Sequence, residues 1–172
     1  MENNMKHRPL LVAVEKDDVS HVWRTAIKEG ESRAQVSLSP LLEEHLAMTL
    51  SSNIKNSQMW RPVALDMLEG VAANDSLALV TLGGKCLIIA GFFPKLAARR
   101  NVRIGYYVAM GQRAYETHAN YWEGRGARAH AHVSSEVAHN FSALIATLRG
   151  IRDDNPLVAD LEAVHLPESA WN

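Results

Sequence analysis

With 172 residues, 47% of them hydrophobic and 22% charged, the chain has the balance of a globular protein and the length of one domain. A chain of this size buries roughly 70% of its unfolded surface, so it can hold a core without disulfides or metal staples. A net charge of -1, with acids and bases interspersed, gives no global field to draw nucleic acid, and the single cysteine, Cys86, excludes an internal disulfide.

Residues 1–9 are polar and expected to fray. Leu10–Val14 is too short an apolar run for a signal-peptide core, which together with the lone cysteine points to the cytoplasm. Val19, Val22, Trp23, Ala26 and Ile27 then share one helical face, with Asp17 or Asp18 placed to cap and Gly30 placed to stop a first helix near Glu29. After a connector at 32–38, Ser39-Pro40 is a strong helix start, with Glu43 and Glu44 near the positive end of the dipole, and the second helix runs to about Ile54.

Residues 53–60 form a polar link, and Arg61-Pro62 starts a third helix of about ten residues carrying Val63, Leu65, Leu68 and Val71. Asn74, Asp75 and Ser76 can each cap a fourth, which continues through Leu79, Leu82, Cys86 and Ile89, with Gly83-Gly84 as a possible kink. Gly83, Gly84 and Lys85 interrupt the longest apolar tract, Leu77–Phe93, which reads as a buried helix and not a membrane span.

At Gly91 and Pro94 the chain bends, since proline pushes Phe93 towards an extended conformation and suits the first turn of a new helix. Phe92 and Phe93 on the bend are expected to wedge between helices. Lys95, Arg99, Arg100 and Arg103 follow, the paired arginines at a helix end where the dipole favours cations. From Arg103 onward Ile104, Tyr107, Val108, Gly111, Ala114, Tyr115, His118 and Trp122 recur at steps of three and four. Packing explains that stripe; a sharper reading is an aromatic-walled pocket beside Arg99, Arg100 and Arg103 that could hold an anion, with Phe92, Phe93, Arg99, Arg103, Tyr107, Tyr115 and His118 as its candidate residues.

The order Gly91-Phe92-Phe93-Pro94, Arg99-Arg100-Asn101-Val102, Tyr106 or Tyr107, Gly111, Ala114 and Tyr115 resembles a pattern in a family of small bacterial hypothetical proteins of similar length. The resemblance covers roughly residues 83–115. It implies an all-helical cytoplasmic protein and carries over no catalytic residue.

Past Trp122, Gly124-Arg125-Gly126 is a turn, and Ala129–Ile151 is the longest uninterrupted helical pattern, ended by Gly150, Asp153, Asp154, Asn155 and Pro156. Leu157–Val164 adds one short helix, and Pro167 closes the ordered part. Nothing alternates with period two, so the chain reads as all-α: one domain, residues 1–172, a bundle or orthogonal array of six to seven helices.

His132, Glu136 and His139 sit at steps of four and three, the spacing of metal ligands on one helix face, and both Glu136-Val-Ala-His139 and Glu162-Ala-Val-His165 have the Glu-x-x-His form of bundle di-iron sites. With twelve Glu and eight His, chance alone supplies roughly half a copy of so short a motif. The apolar stripe Val133, Val137, Phe141, Leu144, Leu148, Ile151 is rotated from the histidine row by roughly 130°, so a solvated polar face is expected unless another surface covers it. A metal ion there is the one cofactor left open. His118, on the apolar face, reads as a buried histidine with a hydrogen-bond partner, and His45 reads the same way. No phosphate loop, nucleophile elbow or paired zinc cysteines occur, and Cys86 in an apolar run should be inert.

These observations point first to a non-enzymatic helical interaction or regulatory protein, acting as a homodimer or on a protein partner yet to be identified, with no membrane segment. The four tryptophans agree with that, because aromatics are enriched in interfaces. The alternative is a metal- or small-molecule-binding helical protein, with an enzyme included in that reading, using the His/Glu face or the aromatic-arginine pocket. Nucleic-acid binding through Lys95, Arg99, Arg100 and Arg103 ranks last, since the cluster is small.

Overall fold

The computed structural model describes residues 16–53, 63–153, 155 and 158. Among them run eight helices and no strand: α1 (Lys16–Ala34), α2 (Pro40–Asn53), α3 (Val63–Ala72), α4 (Ser76–Phe92), α5 (Pro94–Arg99), α6 (Ile104–Glu123), α7 (Arg128–His139) and α8 (Phe141–Arg152). The all-α reading holds. The expected fraying at 1–9 and 167–172, the run Leu10–Val14, the Arg61-Pro62 start and the helix at Leu157–Val164 fall wholly or mostly outside the described residues.

Local chemistry sets the helix starts. Ser39 Oγ accepts from the Leu42 amide at 3.4 Å ahead of Pro40, and the Asp75 carboxylate accepts from the Leu77 and Ala78 amides at 3.0 and 3.1 Å to open α4. Phe93 serves as the last cap of α4 and the first of α5, with Pro94 at the first helical position as its missing amide allows.

Four helices end the same way, on a residue with positive φ. Gln35 (φ 54°), Asn74 (51°), Asn101 (53°) and Gly126 (72°) close α1, α3, α5 and α6. In each case the next amide reaches back five residues, from Val36 to Glu31, Asp75 to Gly70, Val102 to Ala97 and Ala127 to Trp122, the pairing that satisfies orphaned carbonyls at a left-handed helix end. Asn74 therefore ends α3 and leaves the capping of α4 to Asp75.

Two expectations are corrected. Gly30 does not stop the first helix: a Cβ there would stand 2.5 Å from the Thr147 carbonyl oxygen, and one on Gly150 would stand 2.5 Å from the Gly30 carbonyl oxygen. The two glycines are where α1 and α8 cross backbone to backbone, and α1 runs on to Ala34. Nor is Ala129–Ile151 one helix. It breaks at Asn140 (φ -99°, ψ 16°), so that α7 packs on α6 while α8 packs on α1 and α4. That break raises the helix count above the expected six or seven.

The core surrounds α4, whose residues from Leu82 to Phe92 are all buried, as befits a helix apolar on every side. Helices α2, α3, α6 and α8 cover it. α4 runs uninterrupted through Gly83 and Gly84, which admit neighbours: a Cβ on Gly83 would meet the Tyr115 ring at 2.4 Å, and one on Gly84 the Thr49 methyl at 2.8 Å. Trp23, Phe92 and Phe93 form an aromatic run inside, with centroids 6.1 Å apart at each step. α3 is the exception to orderly burial. Of its large apolar side chains, Val63 is buried, while Leu65, Leu68 and Val71 are exposed.

Candidate functional site

The seven pocket candidates are spread from the end of α4 to the middle of α6. Phe92 and Phe93 are core, as the bend implied; Arg99 is exposed at the end of α5; Tyr115 and His118 are buried in the middle of α6; Arg103 and Tyr107 stand at its start. The last two share a groove.

The buried end of α6 carries polar chemistry. His45 Nε2 and the Tyr115 hydroxyl are 2.8 Å apart, with the rings edge to face at 5.3 Å. That contact joins α2 to α6. Burial pushes the Tyr115 hydroxyl well above the usual tyrosine range and takes His45 down to about 4, with His118 adding a smaller effect in the same direction on His45.

His118 is held on both ring nitrogens. The Trp122 indole donates to Nε2 at 3.1 Å, so Nε2 must be the acceptor; Nδ1 then carries the proton and donates to the buried Ser134 hydroxyl at 2.6 Å. An added proton would set two hydrogens against each other between His118 and Trp122. Burial, and secondarily His130, lower the His118 pKa. His130 stacks on Trp122 at 4.9 Å between centroids, so the histidines of α7 begin on an aromatic surface.

His132 and His139 are exposed and Glu136 half-buried, and His139 Nδ1 lies 2.8 Å from the Ser135 carbonyl within its own helix. Among the described residues no three His, Cys, Asp or Glu side chains are grouped to hold a metal ion. The metal-ligand spacing at His132, Glu136 and His139 therefore has no matching ligand cluster; Glu162 and His165 lie outside the described residues. Cys86 is fully buried, and burial takes its thiol up to about 12, which removes the thiolate needed for reactivity.

A groove of about 650 Å3 opens where the start of α3 meets the α5–α6 turn. Val63 and Ala64 line one side; Arg100, Asn101, Val102 and Arg103 form the turn; Tyr106 and Tyr107 stand edge to face at 5.7 Å behind it. Sequence reasoning named Arg103 and Tyr107 and overlooked the share of α3. A signal was available: residues 76–115 hold six cations, Lys85, Lys95, Arg99, Arg100, Arg103 and Arg113, and no carboxylate. Lys85 is nearly fully buried on α4 and donates to Asp66 of α3 at 2.6 Å, which fastens the two helices together.

The outer face of α3 is the second unusual surface. Ala64, Leu65, Leu68, Val71 and Ala72 fall within an arc of about 120° at helical spacing, opposite the buried side formed by Val63 and Gly70. Leu68 is 68% exposed, and Leu77 on the next helix 71%. No described helix is long and apolar enough to cross a membrane. No protein-family model matches the chain, and neither a curated protein nor a solved structure matches it.

Proposed function

We propose that the chain is one helical domain, cytoplasmic, that works as a non-enzymatic interaction or regulatory protein and self-associates through the outer face of α3. The observation behind this is that α3 is apolar on both sides: one side packs on α4, and the other presents Leu65, Leu68 and Val71 to solvent. A helix with two apolar faces is expected to be covered on both. The exposed arc carries no charge, so two copies can appose it without like-charge repulsion. The buried lone cysteine suits a reducing compartment.

Leu65, Leu68, Val71 and Leu77 together leave on the order of 400 Å2 of apolar surface, the size of the largest patch on a typical monomer, which is often functional. Doubling that gives about 800 Å2 for a symmetric pair, below the 1,200–2,000 Å2 of a tight interface. The dimer is therefore weak and concentration-dependent. Light scattering across a concentration series is the test: the average mass rises towards that of a dimer, and Leu68→Glu, which touches no core, holds it at the monomer with an unchanged helical spectrum. A wild-type mass fixed at the monomer up to high concentration, or self-association untouched by Leu68→Glu, refutes this reading.

A further inference from the structure

We infer that the closed end of the α6–α7 hairpin is an acid-released latch: a proton on His118 expels the Trp122 indole, and the first half of α7 swings off α6 while the core holds. A charged His118 has no way to keep both of its contacts. The neutral ring accepts from the Trp122 indole at Nε2 (3.1 Å) and turns its Nδ1 proton to the Ser134 hydroxyl (2.6 Å). A charged imidazole is a donor at both nitrogens whichever way the ring is flipped, and an indole N–H is a donor only. Ser134 can still accept, so the loss falls on Trp122.

Trp122 ties the start of α7 to the end of α6. His130 stacks on its ring at 4.9 Å between centroids, and Tyr121 meets it edge on at 5.2 Å. Little else holds that half of α7. Arg128, Ala129, His130 and His132 are exposed, no side chain caps the helix start, and Ser134 is its first buried residue. The connecting turn carries the left-handed Gly126, which has open space around it. Val137 and Ala138 anchor the second half of α7 in the core, so the opening ends before them. Segments with few buried contacts open ahead of the whole fold.

Nothing around His118 compensates a positive charge. Burial and, after it, His130 of α7 oppose the proton, and His118 in turn opposes one on His45 of α2. Glu43 and Glu44 of α2 are paired with Lys28 and Arg24 of α1, and α4 carries no charged residue from Ser76 to Gly84. Of the carboxylates on α6 and α7, Glu116, Glu123 and Glu136, none draws the ring towards its charged form, and the Arg125 cation sits over the Tyr121 ring. The latch is therefore shut above the ordinary histidine value of 6.5 and opens as pH falls below it.

Amide hydrogen exchange of the full chain, read by mass spectrometry and corrected for the intrinsic effect of pH on exchange, is the test. Between about pH 7 and about pH 5 the amides at 126–133 should lose protection roughly tenfold, since one proton shifts such an opening by at most about tenfold per pH unit. The amides of α4 remain the slowest to exchange throughout, and His45→Gln leaves the loss at 126–133 in place. His118→Gln, which cannot take the proton, abolishes the loss. Trp122→Phe removes the opposing donor, lowers protection at both pH values and shrinks the acid step, and it decides the matter where His118→Gln does not fold. The inference is overturned by equal protection at the two pH values, by exchange at 126–133 only in step with α4, by an undiminished acid loss in His118→Gln, or by a full-sized acid step in Trp122→Phe.

Discussion

His45 is the group through which pH should act most strongly on this fold. Its Nε2 lies 2.8 Å from the Tyr115 hydroxyl in a site that burial and the nearby His118 keep hostile to positive charge, so its pKa falls from 6.5 to about 4. The unfolded chain binds this proton more readily than the folded one. Stability from His45 is thus fully present above about pH 6.5 and is lost as pH falls through that value towards about 4. A depression of about 2.5 units at 1.36 kcal/mol per unit amounts to about 3 kcal/mol over that window. His118 shifts in the same direction and adds to the loss, as its Nε2 is committed to the Trp122 donor. The variant His45→Gln keeps an acceptor for Tyr115 and cannot titrate. Urea unfolding followed by circular dichroism at about pH 7 and about pH 4 should show the wild type losing about 3 kcal/mol more than the variant between the two. Carboxylates titrate in both proteins and cancel in that comparison. Parallel losses in wild type and variant would refute the reasoning, because they would mean that His45 is solvated enough to ionise freely in the folded state.

Two further outcomes follow from the helix contacts. Lys85→Met leaves the Asp66 carboxylate without its ammonium partner between α3 and α4 and should lower the unfolding free energy by about 1–3 kcal/mol, while adding Asp66→Leu restores most of it, as seen by urea melts. Gly150→Ala places a methyl 2.5 Å from the Gly30 carbonyl oxygen, where backbone cannot yield as a side chain would, and should cost about 1–3 kcal/mol in the same assay even though alanine is the better helix former.

That last case shows where the sequence stops being legible. Helix starts at Pro40, Ser76 and Pro94 are written in chemistry confined to a few neighbours, and the inward stripe of α6 follows from its period; both can be read without knowing what packs on them. A glycine such as Gly30 has two meanings, a left-handed helix end or a close crossing, and only the partner at Gly150, 120 residues away, decides between them. The left-handed end of α1 went instead to Gln35, a residue with no special preference for it. The break at Asn140 is hidden for a related reason: the apolar stripe passes through Val137, Phe141 and Leu144 in perfect period, yet the surfaces on either side of it belong to different neighbours, α6 before and α1 with α4 after. The candidate site suffers most from this. Arg103 and Tyr107 are local to one turn and were visible, whereas Val63 and Ala64 reach the groove through the packing of α3 on α4, which the Lys85–Asp66 pair fastens. The surface to which self-association is assigned lies on α3, whose two apolar faces a single period averages into one, while the contact between the buried Lys85 and Asp66 fastens the other side to α4.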